Sequence, residues 1–204
     1  MLVNTHHLPA KIEAFAASWP APPRVRLTFE PTLLGSAGTI RENWDFVAGE
    51  EDFLVCYADN LTDIDVGHLV RFHRSRTALV TMALFRSDRP AECGIATLGE
   101  GGRILSFEEK PAEPRSSLAN GGVYVMRSDI RSRLPGKLPS DIGFDLLPRC
   151  LGEMYGFLYE GVLIDVGTPA RYALAQEASN RPPAVRGKRP NAGAAHIGGG
   201  AVVP

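Results

Sequence analysis

Apolar residues recur along the chain with two periods, and the two periods alternate. Leu8, Ile12 and Phe15 recur at helical spacing, whereas residues 24–29 alternate between apolar and polar side chains as a half-buried strand does. The apolar pattern predicts further strands over residues 1–4, 53–58, 77–85, 93–98, 103–107, 121–126 and 156–166, and helices over residues 35–47, 65–75, 144–154 and 168–178. Alternating strands and helices predict an α/β fold, a Rossmann-like mixed and mostly parallel sheet flanked by helices.

Local signals fix some of these boundaries. Asp65 is placed to cap the helix that follows it, and Thr168 followed by Pro169 is a strong signal for a helix start. Residues 99–102 contain three glycines between two strands and predict a hairpin-like turn. We expect one domain over residues 1–178. Residues 179–204 are basic and proline-rich and then rich in glycine, which predicts a flexible tail.

Composition narrows the classes of function. With 22 basic and 23 acidic residues the formal net charge is −1, so no global field attracts nucleic acid or an anionic membrane. No apolar run approaches the roughly 20 residues of a membrane span, and the sequence predicts a cytoplasmic protein. Cys56, Cys93 and Cys150 show no CxxC spacing and are expected to be free, buried thiols.

Two aspartates follow predicted strands more than a hundred residues apart. Asp59 ends the apolar run 53–58, and Asp165 ends the run that begins at residue 156. Ligands of α/β sheets bind beyond the carboxyl ends of the strands, and Mg²⁺ prefers carboxylates together with substrate phosphate oxygens. The two side chains could therefore share one Mg²⁺. The simpler alternative is that each is a solvated turn residue.

Three other positions could contact a small ligand. Glu109 and Lys110 follow a strand, where a lysine could neutralise a phosphate and a carboxylate could bind sugar hydroxyls. Asn120 and Gly122 precede another strand, and Gly94 begins one; glycine permits close approach of a ligand to the backbone. A charged turn and ordinary glycine turns are the alternatives.

Two further patterns have a structural explanation. Asp63 and Asp65 form a DxD sequence, as glycosyltransferases use to hold the metal of a nucleotide sugar, but Asp65 is better explained as the helix cap. His68 and His73 are five residues apart and do not share a helical face as metal-binding HExxH histidines do. Both histidines are expected to be half-exposed.

Five segments together resemble one enzyme family. They are FLVCYADNLTD (53–63), GIATLGEGGRILSFEEKP (94–111), ANGGVYVM (119–126), DIGFDLLP (141–148) and LIDVGTPARYALA (163–175). In this order they are similar to the sugar-phosphate nucleotidylyltransferases of the mannose-1-phosphate guanylyltransferase and glucose-1-phosphate thymidylyltransferase type. The resemblance extends from about Val3 to Ala178.

The resemblance implies transfer of a nucleoside monophosphate from a nucleoside triphosphate to a sugar 1-phosphate, with release of pyrophosphate. It implies that Asp59 and Asp165 hold Mg²⁺ and that Lys110 binds the sugar phosphate. The substrate-lining residues that it implies are Glu109, Gly94, Asn120 and Gly122, with Gly35, Ala37 and Gly38 beside the base and ribose. The segment Leu34–Gly38 is closest to the guanylyltransferase-like members, which favours GTP with mannose 1-phosphate or a heptose phosphate.

The family also begins with a strand and a loop of the form GGxGTRL, which cradles the triphosphate and has no counterpart in this sequence. We therefore expect a domain that is incomplete at its N-terminus, lacking the first strand and loop. Residues 196–203 resemble one turn of a left-handed β-helix, and a disordered tail is the alternative.

Three hypotheses follow for function. The first is the nucleotidyltransferase, alone or as a homo-oligomer. The second is an inactive remnant or a non-catalytic module that binds sugar phosphates, and the absent loop supports it. The third is a glycosyltransferase that uses Asp63 and Asp65, in which the segments around Lys110 and Asp165 would have no role.

Overall fold

A computed structural model describes residues 1–20 and 24–180, which form alternating strands and helices. The strands are β1 (Leu2–Thr5), β2 (Arg26–Phe29), β3 (Asp52–Cys56), β4 (Asn60–Thr62), β5 (Val80–Arg86), β6 (Gly94–Leu98), β7 (Ile104–Glu109), β8 (Leu118–Arg127), β9 (Met154–Leu158) and β10 (Leu163–Asp165). The helices are α1 (Pro9–Ser18), α2 (Ser36–Glu42), α3 (Val66–Ser75) and α4 (Pro169–Ser179). The predicted tail lies almost wholly outside the described residues.

A central six-stranded sheet has the order β7–β6–β8–β5–β9, with β3 beside β8 on the side of β6. The α/β class and the central sheet flanked by helices are therefore as the sequence predicts. The expectation of mostly parallel strands is wrong for the described pairings. Only β1 with β2 and β5 with β9 run parallel in them, and β8 is antiparallel to β3, β5 and β6. Since β6, β7 and β8 follow one another with no intervening α-helix, no parallel crossover joins them.

The sheet is covered on both faces. Met82 and Leu84 of β5 share one apolar cluster with Tyr124 and Met126 of β8, together with residues of the segment 142–150. Ala83 of β5 and the alternate residues Val123 and Val125 of β8 form a second cluster with Leu69 of α3. Because successive side chains of a strand point to opposite faces, a sheet buried on both sides needs continuous apolar runs such as those of β5 and β8.

The helices α3 and α4 start where the sequence signals predict, but one predicted α-helix does not form. The Asp65 carboxylate accepts a hydrogen bond from the His68 amide at 2.9 Å and caps α3, and Thr168 caps α4 through the Arg171 amide at 3.3 Å. The segment predicted as a helix over 144–154 is instead a π-helical turn (Ile142–Leu146) and a 3₁₀ turn (Leu147–Cys150). Pro148 interrupts the helical ladder and Met154 already pairs with Val80 in β9.

The predicted strand over residues 156–166 is divided into β9 and β10, which belong to different sheets. The three cysteines are free, as expected, but they are not all buried: Cys150 is buried, Cys93 is half-buried and Cys56 is exposed. Burial raises the pKa of the Cys150 thiol to about 11. Within the described residues, no helix is both long enough and apolar enough to cross a membrane.

Candidate active site

The backbone segments that carry Asp59 and Asp165 are neighbours beyond the end of β3. The chain turns after β3 into β4, which pairs antiparallel with β10 so that Asp165 faces Asn60. The backbone amide of Val166 then donates to the carbonyl oxygen of Asp59 at 2.7 Å. Both aspartates are exposed to solvent. A short two-stranded ladder therefore brings the backbone of two residues that are far apart in sequence within one residue of direct pairing.

Two hydrogen bonds hold Asp165 in place, one to its side chain and one to its backbone. Its Oδ1 accepts a hydrogen bond from the amide of Gly167 at 2.6 Å, and its carbonyl oxygen accepts one from Arg171 Nε at 2.9 Å. The turn that carries Asp165 is thus anchored to the first turn of α4. Among the described residues, no group of three or more His, Cys, Asp or Glu side chains could hold a metal alone. Two carboxylates that share a metal with substrate oxygens match the usual Mg²⁺ coordination.

Lys110 adopts a backbone conformation that is unusual for its residue type. Its φ is +50°, in the left-handed region, although it carries a side chain and precedes Pro111. Its amide is held by a hydrogen bond to the carbonyl oxygen of Cys93 at 3.0 Å. The ammonium group is exposed beyond the end of β7. Such a conformation persists only where the surrounding structure imposes it, and such positions concentrate at functional sites.

The Glu109 carboxylate lies between two glycines. In the β6–β7 ladder Gly94 faces Glu109, and a Cβ at Gly94 or at Gly143 would clash with Glu109 Oε2. Burial, followed by the nearby charge of Asp141, raises the pKa of Glu109, and the neighbouring Lys110 offsets part of this rise. The two glycines therefore leave room for the half-buried Glu109 carboxylate.

The Asn120 side chain is fixed at both ends. Its Oδ1 accepts from the amide of Gly122 at 3.0 Å, and its Nδ2 donates to the hydroxyl of Tyr124 at 2.6 Å. Gly122 has a φ of +66°, and a Cβ there would lie 2.6 Å from Asn60 Nδ2 and 2.8 Å from the Tyr57 ring. The turn from Asn120 to Gly122 thus packs against the two residues that flank Ala58 and Asp59.

The segment Leu34–Gly38 is joined to residues 140–142. The amides of Ala37 and Gly38 donate to the carbonyl oxygen of Ser140 at 3.0 and 3.1 Å, and the backbone of Gly35 passes so close to Ser140 that a Cβ would clash. Ser36 donates to Asp141 Oδ2 at 2.9 Å. The site thus gathers residues from seven parts of the chain, and it lies where β3 and β7 end and β8 begins.

Four of its side chains were not predicted from the sequence: Ser36, Tyr57, Tyr124 and Asp141. Burial is the main reason that the pKa values of Tyr57 and Tyr124 are raised, that of Tyr124 far more. Asp141 Oδ1 accepts from the amide of Gly143 at 2.7 Å, which makes it a cap as well as a pocket residue. Two sequence signals pointed to this region without selecting Asp141: an N-cap pattern and the family resemblance of the segment DIGFDLLP.

The alternative candidates have structural roles. Asp63 Oδ1 accepts hydrogen bonds from the amide of Val162 at 2.8 Å and from the hydroxyl of Tyr159, and Asp65 caps α3. His68 is exposed with its ring 5.0 Å from that of Phe157. His73 was expected to be half-exposed, but it is 1% exposed. Its ring lies between α3 and the sheet, where it contacts Thr81 and Asp52. These contacts leave the DxD sequence without support as a metal site.

The fold and the order of these segments define a nucleotidyltransferase of the α/β class. The model of the nucleotidyl transferase family matches residues 1–181, and the chain belongs to this family. The resemblance to sugar-phosphate nucleotidylyltransferases is thereby confirmed.

Three relatives show the range of the family. A glucose-1-phosphate adenylyltransferase of Desulfitobacterium hafniense (strain Y51) is 30% identical over 151 residues, which cover 68% of this chain and 38% of the relative. A putative mannose-1-phosphate guanyltransferase of Sulfolobus acidocaldarius is 28% identical, with 70% of this chain and 40% of the relative covered. A UTP–glucose-1-phosphate uridylyltransferase of Synechocystis is 27% identical, with 84% of this chain and 49% of the relative covered. The matches thus span less than half the length of these relatives.

Solved structures share the fold. HddC from Yersinia pseudotuberculosis, complexed with GMP-PN, superposes with a TM-score of 0.72 at 19% identity over 87% of this chain and 77% of that chain. A putative glucose-1-phosphate thymidylyltransferase from Bacillus anthracis has the same TM-score at 22% identity, with 87% of this chain and 75% of that chain covered. At these identities the likeness establishes the fold alone.

Proposed function

We propose that this chain binds a sugar 1-phosphate and Mg²⁺ in a nucleotidyltransferase reaction that forms a nucleotide sugar and releases pyrophosphate. The observation that supports the proposal is the pairing of β4 with β10, which brings the backbone of Val166 onto that of Asp59 and places Asp165 opposite Asn60. Family membership supports the reaction class. Two exposed aspartates on neighbouring backbone segments, and the polar side chains of Glu109 and Asn120, are the groups that would take part.

Asp59 and Asp165 would hold Mg²⁺, which would neutralise charge on the phosphates when bound. Exposed carboxylates on neighbouring backbone segments fit this ion, because Mg²⁺ is usually bound by one or two carboxylates together with substrate phosphates. Lys110 would place its ammonium on the phosphate of the sugar. Glu109 and Asn120 would orient the sugar hydroxyls through hydrogen bonds.

In the reaction an oxygen of the sugar phosphate attacks the α-phosphorus of the triphosphate. A new P–O bond forms while the bond from the α-phosphorus to the oxygen of the β-phosphate breaks, and pyrophosphate leaves with that electron pair. The chain supplies no covalent nucleophile. Such a transfer depends on positioning and charge neutralisation, which are the contributions that Lys110 and the two aspartates would make.

We further propose GTP as the nucleotide, with mannose 1-phosphate or a heptose phosphate as its partner. The segment Leu34–Gly38, the relative named as a mannose-1-phosphate guanyltransferase and the structural neighbour complexed with GMP-PN support this choice. Other relatives are named as adenylyl and uridylyl transferases. The assay should therefore compare all four nucleoside triphosphates and dTTP with each sugar phosphate.

The test measures two quantities on the same preparations, pyrophosphate release and the Kd for the sugar 1-phosphate with and without Mg²⁺. We expect Asp59→Asn and Asp165→Asn each to lower the rate by about a hundredfold or more, since each removes a charge that stabilises the transition state. Asp63→Asn is the matched control, because Asp63 lies four residues from Asp59 and binds the loop before β10. If Asp63→Asn were the damaging exchange, the metal assignment would be wrong.

Binding without turnover would identify the second candidate, a non-catalytic module. In that case the sugar 1-phosphate would bind equally well without Mg²⁺, and no pair of substrates would yield pyrophosphate. Failure to bind any sugar 1-phosphate would refute both candidates.

A further inference from the structure

One peptide group connects the backbone of the two aspartates in the candidate site. It joins Asp165, the last residue of β10, to Val166. Its N–H donates to the carbonyl oxygen of Asp59 at 2.7 Å, and its own carbonyl oxygen accepts from Arg171 Nε at 2.9 Å. Because a peptide group is planar and its N–H and C=O point in opposite directions, these two hydrogen bonds together fix its orientation. Arg171 is therefore linked to the backbone of both aspartates through a single peptide group.

Arg171 reaches this peptide group from the first turn of α4. Its amide donates to the hydroxyl of the capping residue Thr168 at 3.3 Å, and its half-buried side chain extends back to Asp165. A cation is unfavourable in the first turn of a helix, because the N-terminal end of the helix carries partial positive charge. The helix alone therefore does not explain an arginine at this position, whereas the hydrogen bond to Asp165 does.

The Asp165 carboxylate is fixed to its own turn through one of its two oxygens. Oδ1 accepts from the Gly167 amide at 2.6 Å, whereas Oδ2 accepts no hydrogen bond from residues 1–20 and 24–180. The direction of the carboxylate therefore follows the orientation of the turn. Since Arg171 holds the peptide group at which this turn begins, loss of that contact would let the carboxylate move relative to Asp59.

The arrangement of the two aspartates matters because Mg²⁺ demands nearly ideal octahedral geometry and depends on the groups that orient its ligands. We propose that Arg171 is a positioning residue for the metal site, and that it acts through the Asp165–Val166 peptide group to hold Asp165 and Asp59 in the arrangement that binds one Mg²⁺. The inference rests on the proposed function, in which these aspartates hold the ion. The role depends on the Nε donor and not on the charge. A positive charge beside a cation site opposes binding, so its removal alone would strengthen binding.

Two exchanges separate the donor from the charge. In Arg171→Gln the side-chain nitrogen is bonded to Cδ, as Nε is in arginine, so the donor is retained and the charge is lost. Arg171→Met has a similar length but neither donor nor charge. The test measures the Kd for Mn²⁺, which prefers the same oxygen ligands as Mg²⁺, by electron paramagnetic resonance, and the Kd for Mg²⁺ by competition. We expect Arg171→Met to weaken binding of both ions about tenfold, and Arg171→Gln to bind them no more than about twofold more weakly than the wild type.

Two further comparisons test the route. Arg133→Met is the matched control, since Arg133 Nη1 also donates to a backbone carbonyl oxygen, that of Arg149 at 2.8 Å, in a different segment of the fold. If Arg171 acts through Asp165, then Arg171→Met should add little to the effect of Asp165→Asn when the two exchanges are combined. Arg171→Ala replaces Arg171→Met if the latter does not fold, as judged by circular dichroism.

Three outcomes would overturn the positioning role while leaving the proposed function intact. They are an unchanged Mn²⁺ affinity in Arg171→Met, an equal loss of affinity in Arg171→Gln and Arg171→Met, and full additivity of Arg171→Met with Asp165→Asn. A different result would refute the proposed function itself. If Asp59→Asn and Asp165→Asn bind Mn²⁺ as tightly as the wild type does, the metal assignment fails and this inference fails with it.

Discussion

Lys110 has a left-handed backbone conformation, which lowers the stability of the fold at a residue that carries a side chain. A residue with a Cβ in this region is less stable by about 1–2 kcal/mol than in the right-handed region, whereas glycine adopts both readily. A glycine at this position would therefore favour folding and an asparagine would be tolerated. That the sequence has lysine is consistent with a role for its ammonium in binding phosphate.

We predict that Lys110→Gly has a free energy of unfolding about 1 kcal/mol higher than Lys110→Ala, because both lack the ammonium and only alanine retains the left-handed strain. Chemical denaturation of the two variants measures this difference. Both should lose affinity for a sugar 1-phosphate to the same extent. Equal stabilities would show that the backbone relaxes at this position, and retained affinity would remove Lys110 from the site.

Residue types at strand ends were sufficient to select several positions that the fold brings together. The turn of residues 120–122 meets the segment that follows β3, where Asn60 Nδ2 donates to the carbonyl oxygen of Gly121 at 3.1 Å, one residue after Asp59. Their roles remain predictions. Ser36, Tyr57 and Tyr124 could not be selected, because a serine in a small-residue turn and tyrosines in apolar strands are common. Only their contacts distinguish them from ordinary core and turn residues.

At the scale of the elements, boundaries marked by caps were predictable and those set by tertiary pairing were not. α3 and α4 begin at the residues that their caps indicate. Residues 142–150 have helical apolar spacing but are held as short turns, because Asp141 caps the first turn and Pro148 interrupts the second. The end of this segment is set by Met154, which joins β9 beside β5. Such pairing is not visible in local periodicity.

The two ten-residue helices α1 and α3 differ in how firmly they are held. In α1 no residue is buried and no side chain caps the N-terminus, whereas α3 has the Asp65 cap and buries Leu69 and His73. Phe15 and Trp19 pack against each other on the surface, with ring centroids 5.5 Å apart. A helix of this length is marginal in water unless tertiary contacts stabilise it.

We therefore predict that amide hydrogens of α1 exchange with solvent at least a hundredfold faster than those of α3. Exchange through local opening depends on the contacts that must be broken, and α1 has fewer of them. Hydrogen–deuterium exchange read by mass spectrometry on peptides covering residues 9–18 and 66–75 measures the ratio. Equal protection would mean that contacts other than those described hold α1 in place.

At the scale of the whole molecule, one network of polar side chains joins α3 to strands β5 and β3 of the central sheet. His73 of α3 places Nδ1 2.9 Å from the Thr81 hydroxyl of β5 and Nε2 3.3 Å from Asp52 of β3, and Asp52 also binds Arg74 at 2.8 Å. Burial lowers the pKa of His73, with the charges of Arg127 and Arg74 adding to the effect. The Asp52 carboxylate opposes it without reversing it. The folded protein therefore holds this ring neutral at a pH where the unfolded chain binds a proton.

We predict that acid weakens the fold through His73. Because the pKa of His73 is lower in the folded state than its ordinary value of 6.5, the stabilisation is complete above pH 6.5 and declines as the pH falls below it. The slope can reach at most about 1.4 kcal/mol per pH unit for one group. Urea denaturation of the wild type and of His73→Gln between about pH 5 and pH 7.5 measures how the free energy of unfolding depends on pH. We expect this dependence to be weaker in the variant. His68→Gln is the matched control, since His68 is exposed on the same helix. The raised pKa of Glu109 favours the folded state as the pH falls, which is opposite to the effect of His73, and this contribution cancels when the profiles of the proteins are subtracted. A wild-type profile that falls no faster than that of His73→Gln would show that the ring carries its proton inside the folded protein, and that Asp52 prevails over burial.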